Sequence, residues 1–140
     1  MEPILTDSKY IKRKRLQKPA GNDINQPFGV LLEYYDSDFL KRDSLNGICL
    51  HLANNTDKRI EGYLILTTNP TWKIEPENEL MIAIRPGMIV NAEFYLSVPE
   101  EFGLKPHVLH LEVKTESGIY MEAEFNLNCE NDANASVHDS

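Results

Sequence analysis

Residues 89–98, "IVNAEFYLSV", constrain the fold more than any other stretch. Val90, Ala92, Phe94, Leu96 and Val98 fall on one side of an extended chain, and Asn91, Glu93, Tyr95 and Ser97 on the other. A side-chain period of two belongs to a strand with one dry and one wet face, whereas a helix would scatter the five apolar residues around its circumference. The period recurs. Residues 47–54, "GICLHLAN", set Ile48, Leu50 and Leu52 against Cys49, His51 and Ala53. Residues 107–115, "HVLHLEVKT", turn Leu109, Leu111 and Val113 inward, and 119–127, "IYMEAEFNL", do the same with Ile119, Met121, Ala123, Phe125 and Leu127. Runs at 28–35 ("FGVLLEYY", with no clear face), 59–66 ("RIEGYLIL") and 79–84 ("ELMIAI") complete a set of seven.

Turn chemistry punctuates these runs. Pro fixes its own φ and biases the preceding residue away from helix, so Asn69-Pro70 starts a turn. In "RPGM", 85–88, Pro stands second and Gly supplies a positive φ, a type II pattern. "ESG" before Ile119 is a tight hairpin signal, and Glu75, Pro76, Glu77 and Asn78 read as a polar crossing loop. Seven half-buried strands with short turns imply two antiparallel sheets packed face to face. At 140 residues the chain holds one domain. The expectation is an immunoglobulin-like antiparallel β-sandwich of about seven strands over residues 27–128, with a closed barrel as the competing architecture.

Charge divides the chain. Lys9, Lys12, Arg13, Lys14, Arg15 and Lys18 against Glu2, Asp7 and Asp23 leave residues 1–26 at +3, so the whole-chain charge of -8 leaves -11 for the rest. Residues 1–26 read as a flexible basic arm or linker, with a short helix allowed across "DSKYIKRKRLQK". Residues 129–140 read as a disordered polar tail. The acidic body disfavours nucleic acid and anionic lipid, leaving Lys12, Arg13, Lys14, Arg15 and Lys18 as the one stretch suited to phosphate, or to folding back on the body. No apolar run approaches a membrane span and no secretory signal core is visible, so the default expectation is the cytoplasm unless the chain is a fragment of an exported protein. Two acceptor patterns for glycosylation, at Asn54 and Asn134, are short enough to arise by chance.

The stretch "HLANNTDKRIEGYLILTTNPTWKIEPENELMIAIRPGMIVNAEFYLSVPEEFGLKPHVLHLEVKTESG" resembles bacterial immunoglobulin-like accessory modules of the NPCBM-associated and CARDB types, which are appended to glycoside hydrolases and surface proteins. The echoes are a strand ending in Asn-Asn-Thr, Pro70-x-Trp72-x-Ile74-x-Pro76, the Pro86-Gly87 turn, a Phe94-x-Leu96-x-Val98-Pro99 strand and a final Gly-containing hairpin, over roughly residues 48–127. "IRPG" stands where such modules usually carry Leu-x-Pro-Gly. The resemblance implies a non-catalytic spacer, stabiliser or recognition module and carries no catalytic residue.

The residues agree with that expectation. No phosphate-binding Gly loop, dinucleotide motif, nucleophile elbow or zinc spacing occurs, so no catalytic residue, cofactor or metal is expected. His51, His107, His110 and His138 are scattered and read as surface histidines. Glu112, Glu122 and Glu124 read as a solvated face that discourages aggregation, because a glycosidase pair must face across a cleft. Cys49 and Cys129 differ in phase and read as unreactive thiols. Trp72 reads first as a core plug; with Tyr95, Tyr120, Tyr34 or Tyr35 it could instead form a stacking platform for a sugar. Tyr95 and Tyr120 fall on wet faces. The expected partner is a protein or adjacent domain, met through a sheet edge or loops, with carbohydrate the alternative on Trp72, Tyr95 and Tyr120.

Overall fold

The structure, a computed structural model, describes residues 15–20, 28–35, 39–101 and 107–129. Nine strands lie among them: β1 (Arg15–Gln17), β2 (Phe28–Tyr34), β3 (Ser44–Asn54), β4 (Ile60–Thr67), β5 (Lys73–Glu75), β6 (Glu79–Ile84), β7 (Ile89–Val98), β8 (Val108–Thr115) and β9 (Gly118–Asn126). They form two antiparallel sheets, one ordered β1-β2-β3-β7-β5 and the other β6-β4-β8-β9. The chain is therefore an all-β, two-sheet sandwich, and the seven strands legible in the sequence are all present. Among the described residues no helix is long and apolar enough to cross a membrane.

The core is the alternate set the sequence marks. Leu32 and Tyr34 of β2, Ile48, Leu50 and Leu52 of β3, and Ala92, Phe94, Leu96 and Val98 of β7 meet Leu64 and Leu66 of β4, Ile82 and Ile84 of β6, Leu109, Leu111 and Val113 of β8, and Met121 and Phe125 of β9. Burying such side chains stabilises by about 1.5–3 kcal/mol each. Glu75, read as part of the polar crossing loop, ends β5, and residues 76–78 carry the chain from one sheet to the other. Gly87 has φ +76°, and Met88 N–H donates to the Arg85 carbonyl at 3.0 Å, which closes the expected turn. Asn54 is fully buried, its amide donating to the Lys58 and Ile84 carbonyls at 2.8 Å and its oxygen accepting from Thr56, so this acceptor pattern serves the fold.

Two boundaries move. Arg15, read as part of a flexible arm, begins β1, whose partners on β2 are Tyr34, Glu33 and Leu32. Tyr34 O–H donates to Gln17 Oε1, Gln17 Nε2 donates to the Asn126 carbonyl at 2.6 Å, and Ala20 N–H donates to the Glu124 carbonyl at 2.7 Å. Residues 15–20 thus leave the edge of one sheet and bond to β9 on the edge of the other, which excludes a helix or free linker there. At the other end, Cys129 is buried and bridges Leu40, so the body runs through residue 129. Lys12, Arg13, Lys14 and the segment 130–140 lie outside the described residues.

One inward assignment fails. β8 and β9 pair Val113 with Met121 but Lys114 with Ile119, so Tyr120 is an extra residue in β9. Such a bulge reverses the alternation beyond it. Ile119 consequently faces outward and is half exposed.

Candidate functional site

Each sheet turns one face away from the core, and the two outer faces differ in chemistry. On the four-stranded sheet, register aligns Met81 of β6, Tyr63 of β4, Lys114 of β8 and Ile119 of β9 in one row. Three spacings of about 4.8 Å make the row roughly 15 Å long. Met81 is 71% exposed, Ile119 54% and Tyr63 45%, with Tyr120 partly exposed next to Ile119. The row one step along the strands is Glu79, Ile65, Glu112 and Glu122, and the next brings His110 to Glu124. His110 Nε2 lies 3.2 Å from Glu122 and its Nδ1 3.5 Å from Glu124. The acidic face expected from Glu112, Glu122 and Glu124 is thus present, but it borders an apolar strip that the sequence did not reveal.

The outer face of the five-stranded sheet is different. β3 pairs with β2 and β7 along its length, and both of its faces are buried from Asn46 to Asn54. Cys49 and His51, placed on a wet face by alternation, are 2% exposed, and Glu33 across the pairing is 4% exposed. His51 and His107 are therefore buried, not surface, histidines. His51 Nε2 lies 2.8 Å from Glu33 Oε1 and its Nδ1 lies 2.7 Å from Asn91 Oδ1. Beyond Cys49 on this face, Tyr35 and Tyr95 flank Gly47. A Cβ on that glycine would sit 2.9 Å from the Tyr35 ring and 3.4 Å from the Tyr95 ring, so its missing side chain admits both. Tyr35 O–H donates to Glu93 Oε2 at 3.0 Å. Desolvation of the hydroxyl, then Cys49 and Glu93 beside it, raise the Tyr35 phenol above its ordinary range.

Of the predicted binding residues, Tyr95 is exposed as expected and Tyr120 partly so, but they lie on different sheets and form no common patch. Trp72 is 4% exposed and stacks on His107 at 5.4 Å between ring centres, while Asn69 Nδ2 lies 2.9 Å from His107 Nδ1. With its ring committed to the core and to His107, Trp72 is not an exposed stacking platform. A shallow open cleft of about 390 Å³ beside it is lined by Leu66, Asn69, Trp72, Ile74, Glu75 and Asn78, among others. Among the described residues of that lining Glu75 is the one carboxylate, so they present no opposed pair. Both cysteines are buried, and neither is in a disulfide.

The sequence reading missed Glu33, Cys49, His51 and Asn91 as a group. The available signal was Cys-x-His on one strand face together with a lone Glu in the apolar run "FGVLLEYY".

No family model matches the chain, and no curated protein matches it. Among solved structures it is similar to a FixG-related protein from Vibrio parahaemolyticus, at 17% identity and a TM-score of 0.53, over 74% of this chain and 97% of that one. That likeness concerns the fold alone, and it agrees with the two-sheet sandwich described above.

Proposed function

We propose that the chain is a non-catalytic, immunoglobulin-like interaction module that docks a protein partner on the outer face of its four-stranded sheet. The observation that carries this reading is the exposed row Met81–Tyr63–Lys114–Ile119, apolar but for Lys114, with an acidic border. An apolar centre with a polar rim is the anatomy of a specific interface, and aromatic and Met side chains are enriched at such centres. The partner that fits has a small apolar patch ringed by Lys or Arg. Glu79 and Glu112 stand about 7 Å from the row, within the screening length at physiological salt, so attraction weakens as salt rises.

Affinity capture with the wild-type chain and the double variant Met81→Glu, Ile119→Glu tests the reading, with crosslinks mapped by mass spectrometry. The expected result is a partner crosslinked to this sheet, lost in the double variant and weakened by salt. Capture that survives the double variant, or crosslinks confined to the other sheet, would overturn it.

The pair Tyr35 and Tyr95 over Gly47 supports a second reading, a carbohydrate-binding accessory module. Two neighbouring exposed rings offer a stacking ledge, the role that buried Trp72 does not fill. A glycan array probed with wild type and Tyr95→Ala decides it: retention lost in the variant supports a ledge, and no retained glycan removes it.

A further inference from the structure

We propose that Glu33, Cys49 and His51 bind one divalent cation of the zinc type, on the outer face of the five-stranded sheet. One carboxylate oxygen, one thiol sulfur and one imidazole nitrogen lie within 4.8 Å of one another, and all three residues are more than nine-tenths buried. The backbone holds them in place. Glu33 and Cys49 are direct cross-strand partners, and Cys49 and His51 are two apart on the same strand face, so two adjacent strands in fixed register present all three side chains to one point. Thiolate, imidazole and carboxylate together are a zinc donor set.

The histidine is already oriented for this role. Its Nδ1 faces the Asn91 oxygen at 2.7 Å, which leaves Nε2 aimed at Glu33, the arrangement by which metal-binding imidazoles are commonly held. In a tetrahedral zinc site a ligand nitrogen and oxygen are separated by about 3.3 Å, from bond lengths of about 2.0–2.1 Å. The present His51–Glu33 separation is 2.8 Å, so opening by about half an ångström admits the ion. Histidine and cysteine bind a cation as neutral imidazole and thiolate, so entry of the ion displaces to solvent whatever protons its ligand atoms carry. Carboxylate, imidazole and thiolate become ligands, with water or another oxygen in the fourth position.

Stability alone does not account for the group. A buried polar group is often no better than apolar side chains of the same volume, and alternation gives this strand face no reason to be both polar and dry.

Cobalt(II) is the probe, because a cysteine ligand gives thiolate-to-cobalt charge-transfer absorption and tetrahedral coordination gives characteristic d–d bands. The full chain is unfolded and refolded with cobalt, so that burial of the site does not limit entry, and strand content is checked by circular dichroism. The expected result is one cobalt per chain with a charge-transfer band, and a higher thermal midpoint with zinc. The band is lost in Cys49→Ser and kept in Cys129→Ser. Asn91→Ala keeps the band but weakens affinity by about 10–100-fold. His51→Gln provides a second loss-of-site variant should Cys49→Ser fail to fold. A refolded chain without the band overturns the proposal. So does a band that survives Cys49→Ser, or cobalt bound without charge transfer and lost in His110→Asn, which would place it with His110, Glu112 and Glu122 on the opposite sheet.

Discussion

Gly62 tests how closely β8 approaches β4. It lies inward on β4 beside the β8–β9 bulge, and a Cβ built on it would stand 1.9 Å from the Lys114 carbonyl oxygen and 2.9 Å from the Lys114 carbonyl carbon. Real Cβ atoms keep at least 3.0 Å, so Gly62→Ala requires one strand to move by about 1.1 Å. The obstacle is backbone, which cannot swing aside as a long side chain can. Such a shift strains the pairing of Tyr63 with Lys114 and of Leu64 with Val113. Two weakened ladder hydrogen bonds cost about 0.5–1.5 kcal/mol each, and overpacking adds about 1–3 kcal/mol. The expected loss is about 3 kcal/mol, or roughly 12 °C in thermal midpoint for a domain of this size. Urea unfolding followed by circular dichroism measures it. Gly29→Ala is the control: there a Cβ meets its nearest neighbour, Asn55 Nδ2, at 3.4 Å, and stability should stay within about 0.5 kcal/mol. A Gly62→Ala protein as stable as wild type would refute the close approach of β8 to β4 at Lys114.

The bulge gives a companion prediction. Ile119→Ser should change stability by less than about 0.5 kcal/mol, whereas Met121→Ser, two residues on, should cost about 3 kcal/mol in the same urea assay. Burial pushes the Tyr34 phenol up to about 12 in the folded chain, against an ordinary value near 10, and Tyr35 is raised as well. A folded-state value above the unfolded one contributes stability that is fully present below about pH 10 and lost as pH rises toward about 12. Alkaline denaturation should therefore set in above about pH 10, and Tyr35→Phe should flatten that limb of the stability profile. Both thiols should resist an aromatic disulfide reagent in the native chain and react, two per chain, in denaturant; a fast native reaction at Cys49 would contradict its burial.

Most of the fold was legible because the core strands alternate without interruption. Val90 to Val98 and Leu109 to Val113 announce their inner face, and the turns at Pro86-Gly87 and before Gly118 announce where the chain reverses. The short strands β1 and β5 were not legible, since three residues carry too little pattern, and β1 lies in a basic stretch whose charges suggest a solvated arm. The bulge at Tyr120 was hidden because "IYMEAEF" alternates well in either phase at its start. β3 deceived most. Its alternation is real, but the central strand of a five-stranded sheet need not keep its second face wet, and the burial of Cys49 and His51 depends on neighbours far away in sequence. The candidate surfaces sit at these departures from the simple pattern, which is where local rules conflict with the fold and where functional constraint is a natural explanation.

The two departures lie on opposite outer faces, which makes them separable. Packed sheets stand about 10 Å apart, so Cys49 and Met81 are separated by the whole core, and substitutions that far apart with no shared partner act independently. Cys49→Ser should abolish the cobalt charge-transfer band while leaving capture on the Met81 face unchanged; Met81→Glu with Ile119→Glu should do the reverse. A folded Cys49→Ser chain that also fails to capture the partner would mean the sandwich transmits a change across its core. The metal group and the docking row would then be parts of one device, and their assignment as two independent sites would fall.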